Sequence, residues 1–417
     1  MDRLIIHGGN RLTGHISVSG AKNAVLPILA ACILLDEPVT LHNVPVLMDV
    51  RVMIRMLNAL GLRAEYCDTN SVTVFPARCL KTMAPYDLVT AMRASFFVAG
   101  PILVRKGFAK VSLPGGCAIG ARVVDIHLMG FEKMGATVSV EHGFVVLKAE
   151  QLVGCPIDLP FPSVGATENL MMAAALANGT TVINNAAREP EVCDLGNFLN
   201  TMGANITGLG TPSITIVGQP RLLGNKEYSI MPDRIEAATL LLAGIITGGD
   251  LTVKHMNPQD LTAFLACLKK MAVIVDVGNH SVRVQSSGQF SACQFETQPY
   301  PGFPTDIQAQ LMAVLTVANG VSIVRETIFE KRFMHVNELQ RMGAVIGVRS
   351  GEAVIEGVSH LSGADVRMTD LRAGAALVIA GLAATGTTVV HGLQHLSRGY
   401  ENLIGKLCDL GAKIEPI

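Results

Sequence analysis

A glycine that closes a helix recurs along this chain at a nearly constant interval, and no other feature of the sequence restricts the fold so tightly. Leu60-Gly61-Leu62, Met134-Gly135-Ala136, Met202-Gly203-Ala204, Met342-Gly343-Ala344 and Leu410-Gly411-Ala412 share it. Met271-Ala272-Val273 is a degenerate copy with alanine at the glycine position. The intervals are 74, 68, 69, 71 and 68 residues, so six units of roughly 70 residues account for all 417. Such a period is the signature of a repeat architecture.

Each unit reads as helix, glycine, short strand, turn and strand. In the first, Met53, Ile54, Leu57 and Leu60 fall on one helical face and Arg51, Arg55 and Asn58 on another, which is amphipathic spacing; the glycine is then the cap. A hairpin follows, as in residues 136–148 around Glu141-His142-Gly143 and residues 273–284 around Gly278-Asn279-His280. Between hairpins lies a second helix rich in alanine and glycine, as in 166–178 and 370–385, followed by a strand. A helix apolar on nearly every face is buried all round. These patterns predict an α/β (α+β) fold, a two-domain inside-out α/β barrel of six repeats, each with two helices and about four strands, with helices buried and sheets outside. Domain I is expected over 22–231 and domain II over 1–21 plus 232–417, with the active site in the cleft between them. Residues 1 to about 20 read as a lone hairpin completing a sheet of the second domain.

Composition excludes several functions. Lys+Arg 33 against Asp+Glu 34 gives a net charge of −1, with few aromatics, so nucleic acid is not the expected partner. The hydrophobic fraction is 49%, yet no apolar stretch reaches the roughly 18 residues that a spanning helix needs. The N-terminus lacks the pattern of a signal peptide, and a cytoplasmic protein without membrane insertion is expected. Nine cysteines with no CxxC or Cys/His cluster fit neither a disulfide framework nor a metal site. Eight of them read as thiols of the fold.

Two features carry chemistry. In Pro114-Gly115-Gly116-Cys117-Ala118-Ile119-Gly120-Ala121-Arg122 a cysteine sits among glycines, ahead of an arginine and a helix start at Val123-Val124. Backbone N–H groups and a guanidinium both favour thiolate. On these residues alone Cys117 reads equally as a reactive thiol and as a small residue packed in a turn. The second feature is a charged or amide residue at the start of five of the apolar helices: Lys22-Asn23, Arg93, Asp233-Arg234, Asp306 and Asp370-Leu371-Arg372. Capping explains the aspartates. Cations at helix N-termini oppose the dipole and need an anion to offset it, which points to a ligand bearing phosphate or carboxylate.

With these residues the chain resembles the UDP-N-acetylglucosamine enolpyruvyl transferases. The resemblance rests on Gly20-Ala21-Lys22-Asn23-Ala24, Met92-Arg93-Ala94-Ser95, the Cys117 loop, Pro162-Ser163-Val164-Gly165-Ala166-Thr167, Ala187-Arg188-Glu189-Pro190-Glu191, Phe303-Pro304-Thr305-Asp306, Phe329-Glu330 and Ser397-Arg398-Gly399-Tyr400-Glu401, and covers essentially the whole chain. Ala118 departs from the threonine often found there. The fold is shared with the enolpyruvylshikimate-phosphate synthases, the alternative function; a six-unit scaffold without catalysis is the other rival.

The resemblance implies transfer of the enolpyruvyl group of phosphoenolpyruvate to the 3′-hydroxyl of UDP-N-acetylglucosamine with release of phosphate, the first committed step of peptidoglycan synthesis. It implies no cofactor, no metal and no obligatory protein partner. By the same resemblance Cys117 is the proton donor and can add covalently to phosphoenolpyruvate, and it is the residue alkylated by fosfomycin. Asp306 is the base. Lys22, Arg122 and Arg398 hold phosphate and carboxylate, and Asn23 orients the sugar. Arg93, Arg122, Val123, Val124, Pro162, Ser163, Val164, Gly165 and the backbone of Ile328 contact the sugar nucleotide. Arg234, Glu189, Asp370 and Arg372 belong to the cleft without an assigned role. The glycine loop is expected to close over the bound sugar nucleotide.

Overall fold

The computed structural model describes residues 3–113 and 124–417. Backbone contacts divide them into two units, 20–113 with 124–231, and 3–19 with 232–417. Each contains three sheets and its own hydrophobic core.

The small-residue helices lie at the centre of each unit. In the first they are α1 (Lys22–Ala31), α2 (Ala99–Lys106) and α3 (Val164–Ala174). In the second they are α4 (Arg234–Ile246), α5 (Gln308–Leu315) and α6 (Leu371–Ala383). Every residue of α4 is buried. α3 packs on both α1 and α2, and α4, α5 and α6 pack on one another. Alanine and glycine permit that close approach, while leucines such as Leu240, Leu241 and Leu377 are fully buried, each full burial contributing about 1.5–3 kcal/mol.

The amphipathic helices Met48–Leu60, Asp125–Lys133, Pro190–Thr201, Thr262–Lys270, Val336–Arg341 and Leu403–Asp409 precede the repeated glycine. Met53, Ile54, Leu57 and Leu60 are buried and Arg51, Arg55 and Asn58 exposed, as the spacing predicts. Gly61, Gly135, Gly203, Gly343 and Gly411 have φ of 103°, 95°, 99°, 94° and 106°, and Ala272 takes the same left-handed region at 59°. The degenerate repeat therefore keeps the backbone of the others despite its Cβ, at a cost of about 1–2 kcal/mol.

In three of the sheets the strands flanking an inner helix pair in parallel and antiparallel strands extend them, whereas around α1 and α4 the parallel partners are exchanged, Lys226–Ser229 pairing with Val39–His42 and Thr13–Ser17 with Asp250–Lys254. Pro156–Asp158 runs parallel to Thr180–Asn184, which pairs antiparallel with Ser213–Val217. One sheet, of Phe108–Ser112, Phe144–Lys148 and Thr137–Glu141, has three strands among the described residues. A single parallel bridge from Met83 to Lys110 stands in the fourth place, because Pro85 ends the extended segment and caps the helix Tyr86–Ala91.

Residues 3–17 are not a hairpin, which corrects that expectation. Arg3–His7 lies between Thr387–His391 and Lys413–Pro416 in one sheet, whereas Thr13–Ser17 runs parallel to Asp250–Lys254 in another. Each strand satisfies its backbone groups with a different repeat. Where the chain leaves this unit at Gly20, a Cβ would lie 1.8 Å from the Asn43 carbonyl oxygen, so only glycine fits. The eight described cysteines are free thiols.

Candidate active site

In the first unit Lys22 opens α1 with Nζ 2.7 Å from Asp49 Oδ2, their side chains 13% and 4% exposed. Asp49 lies in the first turn of Met48–Leu60, where its charge also suits the helix N-terminus. Asn23, next to Lys22, is exposed.

Arg93 begins the 3-10 turn Arg93–Val98 that leads into α2, and His127 is close enough to feel its charge. Burial first, and then Arg93, push His127 down to about 3, so the ring is neutral. Asn169 anchors it: its Oδ1 accepts from the Gly100 N–H at 2.9 Å, and its Nδ2 donates to the Phe96 carbonyl at 3.0 Å and faces His127 Nδ1 at 3.2 Å. Since Nδ2 has only hydrogens to offer, Nδ1 accepts and the proton sits on Nε2. That edge of the ring lies beside Gly165, whose added Cβ would meet His127 Cε1 and Nε2 at 3.4 Å.

Pro162, Ser163, Val164 and Gly165 form the half-buried lead into α3. Ser163 Oγ accepts from the Ala166 N–H at 3.4 Å, and the Ser163 carbonyl accepts from Thr167 Oγ1 at 2.9 Å. Thus Arg93, His127 and the 162–165 segment gather around one helix start. Glu189 stands at the N-cap of Pro190–Thr201 and joins Glu191 near Glu168. Burial foremost, then these two carboxylates, holds Glu168 well above the usual carboxylate range.

Cys117, Arg122 and Val123 lie outside the described residues. Val124 is buried and precedes Asp125–Lys133.

In the second unit Asp306 lies in the 3-10 turn Thr305–Ile307 that opens α5. Its Oδ1 accepts from Arg332 Nη2 at 2.7 Å and its Oδ2 from Arg372 Nη2 at 3.1 Å. Both guanidinium side chains are 5% exposed and the carboxylate 25%. Arg332 Nη1 also donates to Thr305 Oγ1, which donates to Glu326 Oε2, both at 2.9 Å. Arg372 Nη1 and Arg332 Nε are buried without a hydrogen-bond partner among the described residues. Burial opposes the charge of Arg372, but Tyr400, Asp306 and Asp233 outweigh it and raise its pKa.

Asp370 caps α6, accepting from the Arg372 and Ala373 N–H groups at 2.9 and 3.1 Å, and Asp233 caps α4 in the same way. The Arg234 guanidinium lies 5.6 Å from the centre of the Tyr300 ring. The Ile328 N–H is already given to Glu326 Oε1 at 2.9 Å, which leaves its carbonyl as the backbone group to offer. Arg398, half-buried, closes the turn Leu393–Arg398.

The cations at helix starts are therefore offset in part by the chain's own carboxylates, Asp49 for Lys22 and Asp306 for Arg372, not by ligand alone as expected. Sequence reasoning missed Asp49, His127, Glu168, Glu326 and Arg332. Arg332 hides in the run Glu330-Lys331-Arg332, which reads as solvated surface, and a lone histidine on a helix carries no signal of its own.

Comparison with known proteins gives the family. The family described as EPSP synthase (3-phosphoshikimate 1-carboxyvinyltransferase) matches residues 6–407. The enolpyruvyl transferase NikO from Streptomyces tendae superposes with a TM-score of 0.89 at 29% identity over 99% of this chain and 98% of that one. EPSP synthase from Acinetobacter baumannii superposes at 0.76 with 16% identity over the whole of both chains, a likeness of fold. The chain belongs to the EPSP synthase family of carboxyvinyltransferases.

The sequence relatives define the branch. UDP-N-acetylglucosamine 1-carboxyvinyltransferase of Gloeobacter violaceus is 53% identical over 99% of this chain and 90% of the relative, and that of Solidesulfovibrio magneticus 53% over 100% and 99%. UDP-N-acetylglucosamine 1-carboxyvinyltransferase 1 of Staphylococcus epidermidis is 50% identical over the whole of both chains. Within the family, this chain falls with the UDP-N-acetylglucosamine 1-carboxyvinyltransferases.

Proposed function

We propose that this protein transfers the enolpyruvyl group of phosphoenolpyruvate to the 3′-hydroxyl of UDP-N-acetylglucosamine, releasing phosphate and supplying a precursor of peptidoglycan. The observation that carries the reading is 50–53% identity to enzymes of that name over 99–100% of this chain. A synthase acting on shikimate-3-phosphate is the weaker reading, because its structural likeness comes with only 16% identity.

The reaction is an addition followed by an elimination. The sugar hydroxyl gives its proton to a base as its oxygen bonds C2 of phosphoenolpyruvate, and the methylene carbon takes a proton from an acid. Loss of a methyl proton then expels phosphate and restores the double bond. Asp306 is assigned as the base. Arg332 and Arg372 each donate to one of its oxygens, which fixes the orientation of the carboxylate. Such proton transfer is worth about 10²–10⁴ in rate. Cys117 is assigned as the acid and as the nucleophile that fosfomycin alkylates.

Lys22, Arg122 and Arg398 hold the phosphate and carboxylate, each charged hydrogen bond contributing about 1.5–3 kcal/mol, and Asn23 orients the sugar. Arg93, His127 and residues 162–165, with Arg122, Val123, Val124 and the Ile328 carbonyl, receive the sugar nucleotide. Arg234, Glu189, Asp370 and Arg372 complete the set of assigned residues. No described helix is long and apolar enough to cross a membrane. We place the enzyme in the cytoplasm, in cell-wall synthesis and hence in the growth of cell shape and division. Mass analysis of the nucleotide sugar after incubation with phosphoenolpyruvate tests the assignment: an enolpyruvyl ether is expected, and unchanged UDP-N-acetylglucosamine overturns it.

A further inference from the structure

Behind Asp306 and Arg372 lies a buried group of two hydroxyls and one amide whose hydrogens can all be assigned. Thr239, on α4, has one hydroxyl hydrogen, and it goes to the Ile235 carbonyl at 2.8 Å. Its Oγ1 therefore accepts from the Tyr400 hydroxyl at 2.9 Å. With its hydrogen so used, Tyr400 Oη can only accept. It does so from Gln310 Nε2 at 3.0 Å, and the central carbon of the Arg372 guanidinium stands 5.2 Å from the tyrosine ring centre, close enough for the two groups to interact electrostatically. Gln310, fully buried on α5, gives its other amide hydrogen to the Asp306 carbonyl at 2.9 Å, with Thr239 Oγ1 a longer third acceptor at 3.3 Å. Burial raises Tyr400 above the usual tyrosine range while Arg372 pulls the other way, so the phenol stays neutral and the pattern persists.

We propose that Tyr400, oriented by Thr239 and Gln310, is a positioning residue for the catalytic base: it fixes the Arg372 guanidinium so that Nη2 meets Asp306 Oδ2, while Gln310 holds the turn that carries Asp306. The hydroxyl joins Thr239 on α4 to Gln310 on α5, beside the Arg372 guanidinium that meets the Asp306 carboxylate. In water the same groups would be satisfied in many arrangements; buried, they have one. The inference rests on the reading of Asp306 as the base.

Steady-state kinetics on the full enzyme test it. Tyr400→Phe removes the oxygen and keeps the ring, and kcat is expected to fall about tenfold with KM for both substrates within about twofold. Thr239→Val is expected to lower kcat likewise, and Thr239→Ser to restore it. Tyr400→Phe and Thr239→Val combined are expected to cost no more than the larger single loss, since they break one path. Full kcat in Tyr400→Phe, a loss carried by KM, a Ser variant as impaired as the Val variant, or additive losses would each overturn the proposal. If Tyr400→Phe fails to fold, the Thr239 pair decides. Asp306→Asn separates the two claims. If it keeps full turnover, the base reading itself fails; if it is inactive while Tyr400→Phe is unimpaired, only the positioning role fails.

Discussion

Lys22 Nζ sits 2.7 Å from Asp49 Oδ2, with the aspartate side chain only 4% exposed. The pair solves a local conflict, since a lysine at the first position of α1 opposes the helix dipole and is largely withdrawn from water. Removing Asp49 leaves a half-buried cation without its nearest carboxylate. Asp49→Ala is expected to destabilise the protein by about 3 kcal/mol and to raise KM for phosphoenolpyruvate, because Lys22 loses the group that orients it. Urea denaturation checks the first effect, and a loss below about 1 kcal/mol would show that the pair is solvated surface.

The left-handed alanine offers the opposite experiment. Ala272 holds φ of 59° where five repeats have glycine. Ala272→Gly relieves about 1–2 kcal/mol of backbone strain against a smaller rise in unfolded-chain entropy. A net gain of about 0.5–1 kcal/mol is expected in the same assay, without change in kcat. A loss of stability would mean that the Cβ packs favourably enough to outweigh its strain.

His127 sets a pH dependence. Its folded value is pushed down to about 3 from 6.5, by burial and then Arg93. The folded state therefore binds fewer protons than the unfolded chain between those values, and stability falls as pH drops from 6.5 toward 3, by up to about 1.4 kcal/mol per pH unit. Above 6.5 the residue contributes no slope. His127→Gln is expected to flatten the acid side of the stability curve. An unaltered slope would place the acid sensitivity elsewhere.

The parts of this molecule legible in sequence are those that recur. Six caps at near-equal spacing mark the repeat, and the alanine-rich segments mark buried helices, because a backbone conformation or an absence of large side chains leaves a local trace. Asp306 and Arg372 are legible for a related reason, as polar residues at the head of apolar helices. Arg332 and Asp49 are not, because their meaning arises only when another part of the fold brings Asp306 or Lys22 to them. The first strands read as a hairpin because alternation shows that a strand exists and says nothing of its partner. Arg3–His7 and Thr13–Ser17 are separated by a turn-like stretch, yet they pair with repeats more than 230 residues away.

The central claim is the identity of the acceptor, and release of inorganic phosphate from phosphoenolpyruvate tests it most directly. The enzyme is supplied with phosphoenolpyruvate and either UDP-N-acetylglucosamine or shikimate-3-phosphate. Phosphate release with the sugar nucleotide and none above background with shikimate-3-phosphate is the expected result. Release with shikimate-3-phosphate alone, or with neither, would contradict the account.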